Sequence, residues 1–150
     1  MAFLDDLNAV LKEALKSRDE LKVSVIRMIK ASLKNKEIEK MSSLTDDEIM
    51  SVLSTLAKQR RESIEQFSAA GRTDLADKET KELEIIQSYL PKQLNTEELN
   101  SIIRAAIGES GASSLNDLGR VMKVLMPRVK GLADGKLVNQ RVKKLLTPAP

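Results

Sequence analysis

One stretch determines the fold of this chain: residues 45–71 read TDDEIMSVLSTLAKQRRESIEQFSAAG. It begins with Thr45 and, three residues later, Glu48, the spacing of a capping box in which a hydroxyl and a carboxylate satisfy free backbone amides of a first helical turn. Apolar residues then recur at intervals of three and four as far as Phe67, and Gly71 supplies a left-handed stop. The stretch therefore predicts one long amphipathic helix.

The same apolar periodicity continues on both sides of this helix, and no alternating run flanked by hairpin turns occurs. The sequence therefore predicts an all-α, multihelical protein, with a second helix over about residues 19–40 and a fourth over about residues 73–89, ended by Pro91. At ~1.5 Å per residue the second and third helices would each reach roughly 30 to 40 Å. We expect them to pack lengthwise as a hairpin.

Shorter helical segments follow Pro91, which indicates a boundary over Pro91–Asn95 between two different helical domains, residues 1–91 and 95–147. Pro127 is expected to end the sixth helix, because proline disrupts a helix interior. The predicted elements of the second domain are a fifth helix from an Asn95 cap to Ile107, a sixth from Ser113 or Ser114 to about Met126, and a seventh from an Asp134 cap to Leu146.

The composition excludes several kinds of chemistry. The 150 residues include no His, no Cys and no Trp, which removes imidazole bases, thiolate nucleophiles and the common zinc sites. We predict no catalytic residue, no metal site and no cofactor. The longest apolar run, Met1–Leu4, is too short for a membrane span or a secretory signal core, so we expect a cytoplasmic protein without membrane contact.

Positive charge is concentrated in the second domain. Residues 1–90 carry 15 basic and 17 acidic side chains, whereas residues 91–150 carry 10 and 5. The segment Gly119–Lys144 contains eight basic residues and a single acidic residue, Asp134. Clustered Lys and Arg release counterions from nucleic acid, so the imbalance favours a phosphate-binding surface, although an ordinary solvated face is the alternative. The candidate nucleic-acid-binding residues are Lys123, Arg128, Lys130, Lys136, Arg141, Lys143 and Lys144.

Four other features have simpler structural interpretations. The segment Lys130–Lys136 lacks the spacing and the hydroxyl of a Walker loop, so we interpret it as a turn with two glycines and an Asp cap. Gly119 is expected to permit close approach of another helix. Arg60 and Arg61 are expected on an exposed, salt-bridged surface. The carboxylates of Asp46–Glu48 are interpreted as a helix cap rather than a catalytic pair.

The chain contains only two Phe and one Tyr. Base-stacking readers of single-stranded nucleic acid use several aromatic side chains. Recognition of unpaired bases is therefore disfavoured, whereas recognition of the backbone and shape of a folded RNA stays open.

Short motifs are distributed along the chain. The N-terminal motifs are Arg27–Ala31, Lys34–Glu39, Gly71–Leu75, Glu82–Ile86 and Tyr89–Gln93, and the tail motif includes Gly119, Met122, Gly131, Asp134, Gly135, Val138 and Asn139. Together these motifs resemble the YqeY family. The second domain also resembles the tail domain of GatB, a subunit of glutamyl-tRNA(Gln)/aspartyl-tRNA(Asn) amidotransferase. One departure is Asp134-Gly135, where the GatB tail usually has Asn-Pro.

This resemblance implies two helical domains, the second being a module that helps to hold tRNA in the amidotransferase. The catalytic parts of that enzyme belong to another domain and another subunit. A family label of carbon-nitrogen ligase with glutamine as amido-N-donor would thus describe the proteins in which the module occurs, not a reaction of this chain.

Three functional hypotheses follow. The preferred one is a non-catalytic helical adaptor that binds folded RNA, with tRNA favoured, through the basic second domain. The second is a protein–protein interaction module that uses the long N-terminal helices, with an amidotransferase as a candidate partner. The third, an amidotransferase-linked enzyme, is the least favoured.

Overall fold

The computed structural model describes residues 2–147 and contains α-helices and one short 3₁₀ turn, with no strand in that range. The predicted all-α class is therefore confirmed. Two compact units divide the chain, Met1–Leu90 and Pro91–Pro150. The helices are α1 (Ala2–Ser17), α2 (Glu20–Lys40), α3 (Asp46–Ala69), α4 (Thr73–Gln87), α5 (Thr96–Ser110), α6 (Leu118–Val129) and α7 (Gly135–Leu146), and the 3₁₀ turn is Leu115–Asp117.

The N-cap and the stop of α3 are as predicted, but only the Thr45 half of the predicted capping box is formed. The Glu48 amide donates to Thr45 Oγ1 at 3.2 Å, so Thr45 is the N-cap. Gly71, just after the helix, has a φ of 73°, which glycine adopts without strain. The Glu48 carboxylate accepts a hydrogen bond from Lys40 Nζ at 2.6 Å. This bond, which lowers the pKa of Glu48, ties the end of α2 to the start of α3.

The first unit buries one aliphatic stripe from each long helix. Ile26 and Ile29 of α2 and Leu53 of α3 lie in one core with Leu7 of α1 and Ile86 of α4. However, α3 packs most extensively against α4, and α2 packs more against α1 than against α3. The α2–α3 hairpin is therefore a minor contact rather than the main one.

Arg60 lies inside the first unit, so its predicted exposed position is wrong. Its side chain is 19% exposed, and its Nε lies 3.3 Å from Glu79 Oε2 and 3.1 Å from Glu82 Oε2 on α4. The guanidinium also contacts Met28 Sδ of α2. One cation thus joins three helices and faces two carboxylates. Burial and the neighbouring Glu82 carboxylate raise the pKa of Glu79, and Arg60 opposes this shift without cancelling it.

The second unit has its own core. Leu99 and Ile103 of α5, Val121 and Leu125 of α6, and Val142 of α7 are almost completely buried together. The entering chain is fixed to the α6–α7 loop, because the Leu94 amide donates to the Leu132 carbonyl at 2.8 Å and Gln93 Nε2 donates to the Gly131 carbonyl at 2.9 Å.

Four predicted helix ends differ from the structure, and one of them is that of α5, which extends past the predicted Ile107 to Ser110. Helix α4 ends at Gln87, before the predicted Tyr89, and Ser114 opens a 3₁₀ turn instead of starting α6 directly. Helix α6 continues through Pro127 to Val129. A proline near the end of a helix removes only one backbone hydrogen bond. Val129, 1% exposed in the core, holds the last turn in place against that loss.

The raised pKa of Glu79 has a consequence for stability. A raised pKa means that the folded protein holds this proton more tightly than the unfolded chain, so the group's stabilising contribution falls as the pH rises through the interval above its ordinary pKa. We expect Glu79→Gln to increase the free energy of unfolding at pH 7, by less than about 2 kcal/mol. The two proteins should converge towards pH 4. Urea unfolding at several pH values measures both effects.

Arg60→Met is the contrasting variant. It leaves two carboxylates without their cation, and breaking a buried pair in this way costs about 3 to 5 kcal/mol. A Glu79→Gln protein that is less stable than the parent at pH 7 would show that the Glu79 charge stabilises the fold, contrary to this reasoning.

Candidate nucleic-acid interface

Helix α7 places its lysines on the side opposite its buried apolar residues, and the exposed Leu137 lies beside the lysines. Asp134 is the N-cap and accepts from the Lys136 amide at 3.4 Å. Val138, Val142 and Leu146 are buried at intervals of four. At ~100° per residue the exposed Lys136, Lys143 and Lys144 lie on the opposite side of the helix. Helix α7 contains no carboxylate. We call this exposed side, with Lys136, Lys143 and Lys144, the α7 lysine face.

The arginines of the predicted site are engaged within the unit. Arg128 of α6 forms an ion pair with Glu109 of α5. Arg141 of α7 donates from Nε and Nη2 to Asn100 Oδ1 of α5, at 3.1 and 2.9 Å. Both arginines therefore hold helices together. The partner Asn100 was not anticipated, since nothing in the sequence distinguishes it from a solvated polar residue.

The remaining lysines are exposed. Lys123, Lys130, Lys143 and Lys144 form no ion pair with any residue of the described range 2–147. Lys123 and Arg128 are five residues apart on α6, which places them ~140° apart around the helix. The seven predicted residues thus do not share one helix face. Helical geometry does place three of them on one side of one helix, namely the lysines of the α7 lysine face.

Four of the five acidic side chains of the second unit lie on α5 or the 3₁₀ turn, and the fifth, Asp134, caps α7. Glu109 and Asp117 form ion pairs with Arg128 and Arg120. Hydrogen bonds from the Ser113 amide and from Arg120 lower the pKa of Asp117. Glu98 accepts from Asn95 Nδ2 at 2.7 Å. Glu98, Glu109 and Asp117 are thus engaged on α5 and the 3₁₀ turn. Helix α7 itself contributes no carboxylate that would neutralise its lysines.

Of the three glycines of the tail motif, only Gly131 has the predicted role. Gly131 turns the α6–α7 loop with a φ of 78°, whereas Gly135 is the first residue of α7 rather than a second turn. Gly119 is exposed, and a Cβ placed there would meet no atom within 4 Å. The predicted close helix approach at Gly119 is therefore wrong.

The other motif residues are mainly structural. Val138 is completely buried, and Met122 packs against the core of the unit. Asn139 is half-buried beside Val138 on α7.

No group of three or more acidic residues within residues 2–147 is arranged to hold a metal ion. None of the helices that the structure describes is both long and apolar enough to cross a membrane.

These features define an all-helical protein of two units, the second of which turns a lysine-rich helix face to solvent. The chain belongs to the YqeY family, because the family model described as Yqey-like protein matches residues 4–146. The predicted resemblance to that family is thus confirmed.

The chain is similar to curated fungal proteins named Altered inheritance of mitochondria protein 41, mitochondrial. The protein of Eremothecium gossypii is 40% identical over 88 residues, which cover 58% of this chain and 48% of that protein. The protein of Pyrenophora tritici-repentis is 28% identical over 146 residues, covering 95% of this chain and 80% of its own length. The chain thus spans about half the length of the Eremothecium relative.

These names contradict the predicted cytoplasmic location, which we withdraw. That prediction rested on the absence of a long apolar run. Such a run marks a membrane span or a secretory signal, whereas mitochondrial transit segments are amphipathic and rich in Arg. The criterion was therefore unable to distinguish the two compartments.

The contact between Arg141 and Asn100 should contribute to stability. Arg141→Met is expected to lower the free energy of unfolding by about 1.5 to 3 kcal/mol, the value of a hydrogen bond to a charged group. Lys144→Met, on the same helix but exposed, should change it by less than about 0.5 kcal/mol. Urea unfolding of both variants compares them, and equal effects would remove the structural role of Arg141.

Proposed function

We propose that this protein is a non-catalytic adaptor that binds folded RNA through its second unit. The observation that carries the proposal is the α7 lysine face, because Lys143 and Lys144 lie there without an ion-pair partner in the described chain. Lys123 and Lys130 are two further exposed lysines of the same unit. Arg128 and Arg141 support the α7 lysine face by holding α6 and α7 against α5.

The kind of nucleic acid follows from what the second unit lacks. Residues 91–150 contain no Phe, Tyr or Trp. A stacking platform for unpaired bases is therefore absent from that part of the sequence, and lysine is a point charge suited to phosphates. These features favour recognition of phosphate positions on a folded RNA.

Within folded RNAs we propose tRNA. The support is the resemblance of the tail motif in this unit, Gly119 to Asn139, to the module that helps to hold tRNA in the amidotransferase. The proposal assigns the chain no reaction of its own, and an amidotransferase is a candidate partner through the same resemblance.

Binding of tRNA should depend steeply on salt, since each phosphate contact adds about one unit to the slope of log K against log salt. We expect Lys143→Glu/Lys144→Glu to weaken tRNA binding at low salt by at least about tenfold and to reduce the slope by about two units. Fluorescence anisotropy with labelled tRNA over a salt series measures both quantities.

The matched control is Lys12→Glu/Lys16→Glu, which makes the same charge change on α1 in the first unit. If both double variants lower the affinity equally, only net charge matters and the α7 lysine face has no specific role. If neither lowers it, the proposed RNA surface is wrong.

A further inference from the structure

Helix α2 has a second face that none of the features above uses. Its core residues, such as Ile26, Ile29 and Leu33, lie on one side of the helix. Exposed residues recur on the opposite side at intervals of three and four, the spacing by which one helix packs against another. They extend over roughly 25 Å at ~1.5 Å per residue. This α2 outer face consists of Ser24, Arg27, Ala31, Lys34, Ile38 and Met41, and the exposed Glu20 lies on the same side, seven residues before Arg27.

The C-terminal end of the α2 outer face is apolar although it is exposed to solvent. Ile38 is 64% exposed and Met41 is 89% exposed. Met41 also has a φ of 61° as the residue that ends α2. Residues with a Cβ rarely adopt this conformation, which glycine adopts at no steric cost. A large apolar side chain is therefore displayed in a position where the backbone favours glycine.

A pocket of about 500 Å³ opens at the other end of the same face. Leu15 of α1 and Val23 of α2 provide apolar walls, and Arg18 and Arg27 provide two guanidinium groups. Neither arginine forms an ion pair within residues 2–147. The one carboxylate of the lining belongs to Glu20. The pocket suits an apolar stem that ends in a carboxylate.

We propose that the α2 outer face binds an acidic amphipathic helix of a partner protein. The spacing of the face matches a helix, its apolar end at Ile38 and Met41 offers buried area, and Arg18, Arg27 and Lys34 select negative charge. This inference is independent of the proposed RNA binding, because it rests on different residues in the other unit.

The same charges disfavour other occupants. A second copy of the chain packed in parallel by this face would place Arg27 and Lys34 against the same residues of the other copy, which is unfavourable. A nucleic acid would attract the cations but would leave Ile38 and Met41 against a charged backbone. An acidic helix satisfies both the charged and the apolar parts of the face.

The first test uses two synthetic helical peptides of the same length and apolar spacing, one flanked by Glu and the other by Lys. The full chain is expected to bind the Glu peptide at least about tenfold more tightly, as measured by fluorescence anisotropy. Arg27→Glu/Lys34→Glu should abolish that preference, and Ile38→Ser should weaken binding of the Glu peptide. Lys12→Glu/Lys16→Glu is the control for net charge, and circular dichroism verifies that each variant is folded.

Equal binding of the two peptides, or a preference that survives Arg27→Glu/Lys34→Glu, would overturn the proposal. The variants also separate it from RNA binding. Arg27→Glu/Lys34→Glu should retain the tRNA affinity of the parent, relative to the control, and Lys143→Glu/Lys144→Glu should retain peptide binding. Each proposal is thus able to fail without the other.

A second test places a photo-crosslinking residue at position 38, with position 62 on α3 as the exposed control, and maps the crosslinked segments by mass spectrometry after irradiation of cells. Crosslinks at position 38 to one protein, in a segment with acidic residues and helical apolar spacing, support the proposal. Crosslinks to RNA, to another copy of the chain, or at no higher level than position 62 overturn it.

Discussion

The burial of one narrow aliphatic stripe per helix is the constraint on which the rest of this structure depends. Charged residues make up 31% of the chain and aromatic residues 2%, so the helices form their cores mainly from Leu, Ile, Val and Ala. On α7, burial of Val138, Val142 and Leu146 leaves the lysines no position except the opposite side. On α2, burial of Ile26 and its neighbours directs Arg27 outward in the same way. Core formation therefore determines which side of each helix becomes a candidate surface. The residues at the exposed positions then determine the charge of that surface.

Arg60, Glu79 and Glu82 form a largely buried charged cluster, the Arg60 cluster, which is the exception to this arrangement. A buried cation needs compensating charge, and Arg60 obtains it from Glu79 and Glu82 on the following helix. Burial of the Glu79 carboxylate is the main cause of its raised pKa, and the second carboxylate, Glu82, adds to the shift because one guanidinium faces two negative charges. The cluster therefore aligns α3 with α4 through charge placement, at a cost that an aliphatic contact would not have.

The sequence predicted the features that depend on a few neighbouring residues. The caps at Thr45, Asn95 and Asp134 are confirmed, because a cap is a contact within four residues of the chain. Predictions that needed contacts between helices were less successful. Arg60 is separated by about twenty residues from its carboxylates, and Arg141 by 41 from Asn100, so no local pattern marks either pair. At Pro127 a local rule failed. Proline was expected to end α6, but the helix continues to Val129, whose side chain is buried in the core.

Arginine and lysine have different roles in this protein, and this division links structure to proposed function. Arg60, Arg128 and Arg141 each join two helices through contacts to carboxylate or amide oxygens. The planar guanidinium presents several donors in fixed directions, so it holds a geometry that a lysine ammonium does not. With those positions filled by arginine, the exposed cations of the second unit are mostly lysines, which attract phosphate with little directional demand. A surface of that kind suits the irregular phosphate positions of a folded RNA. The α2 outer face, where Arg27 adjoins exposed apolar residues, instead suits a ligand that offers both a carboxylate and an apolar surface.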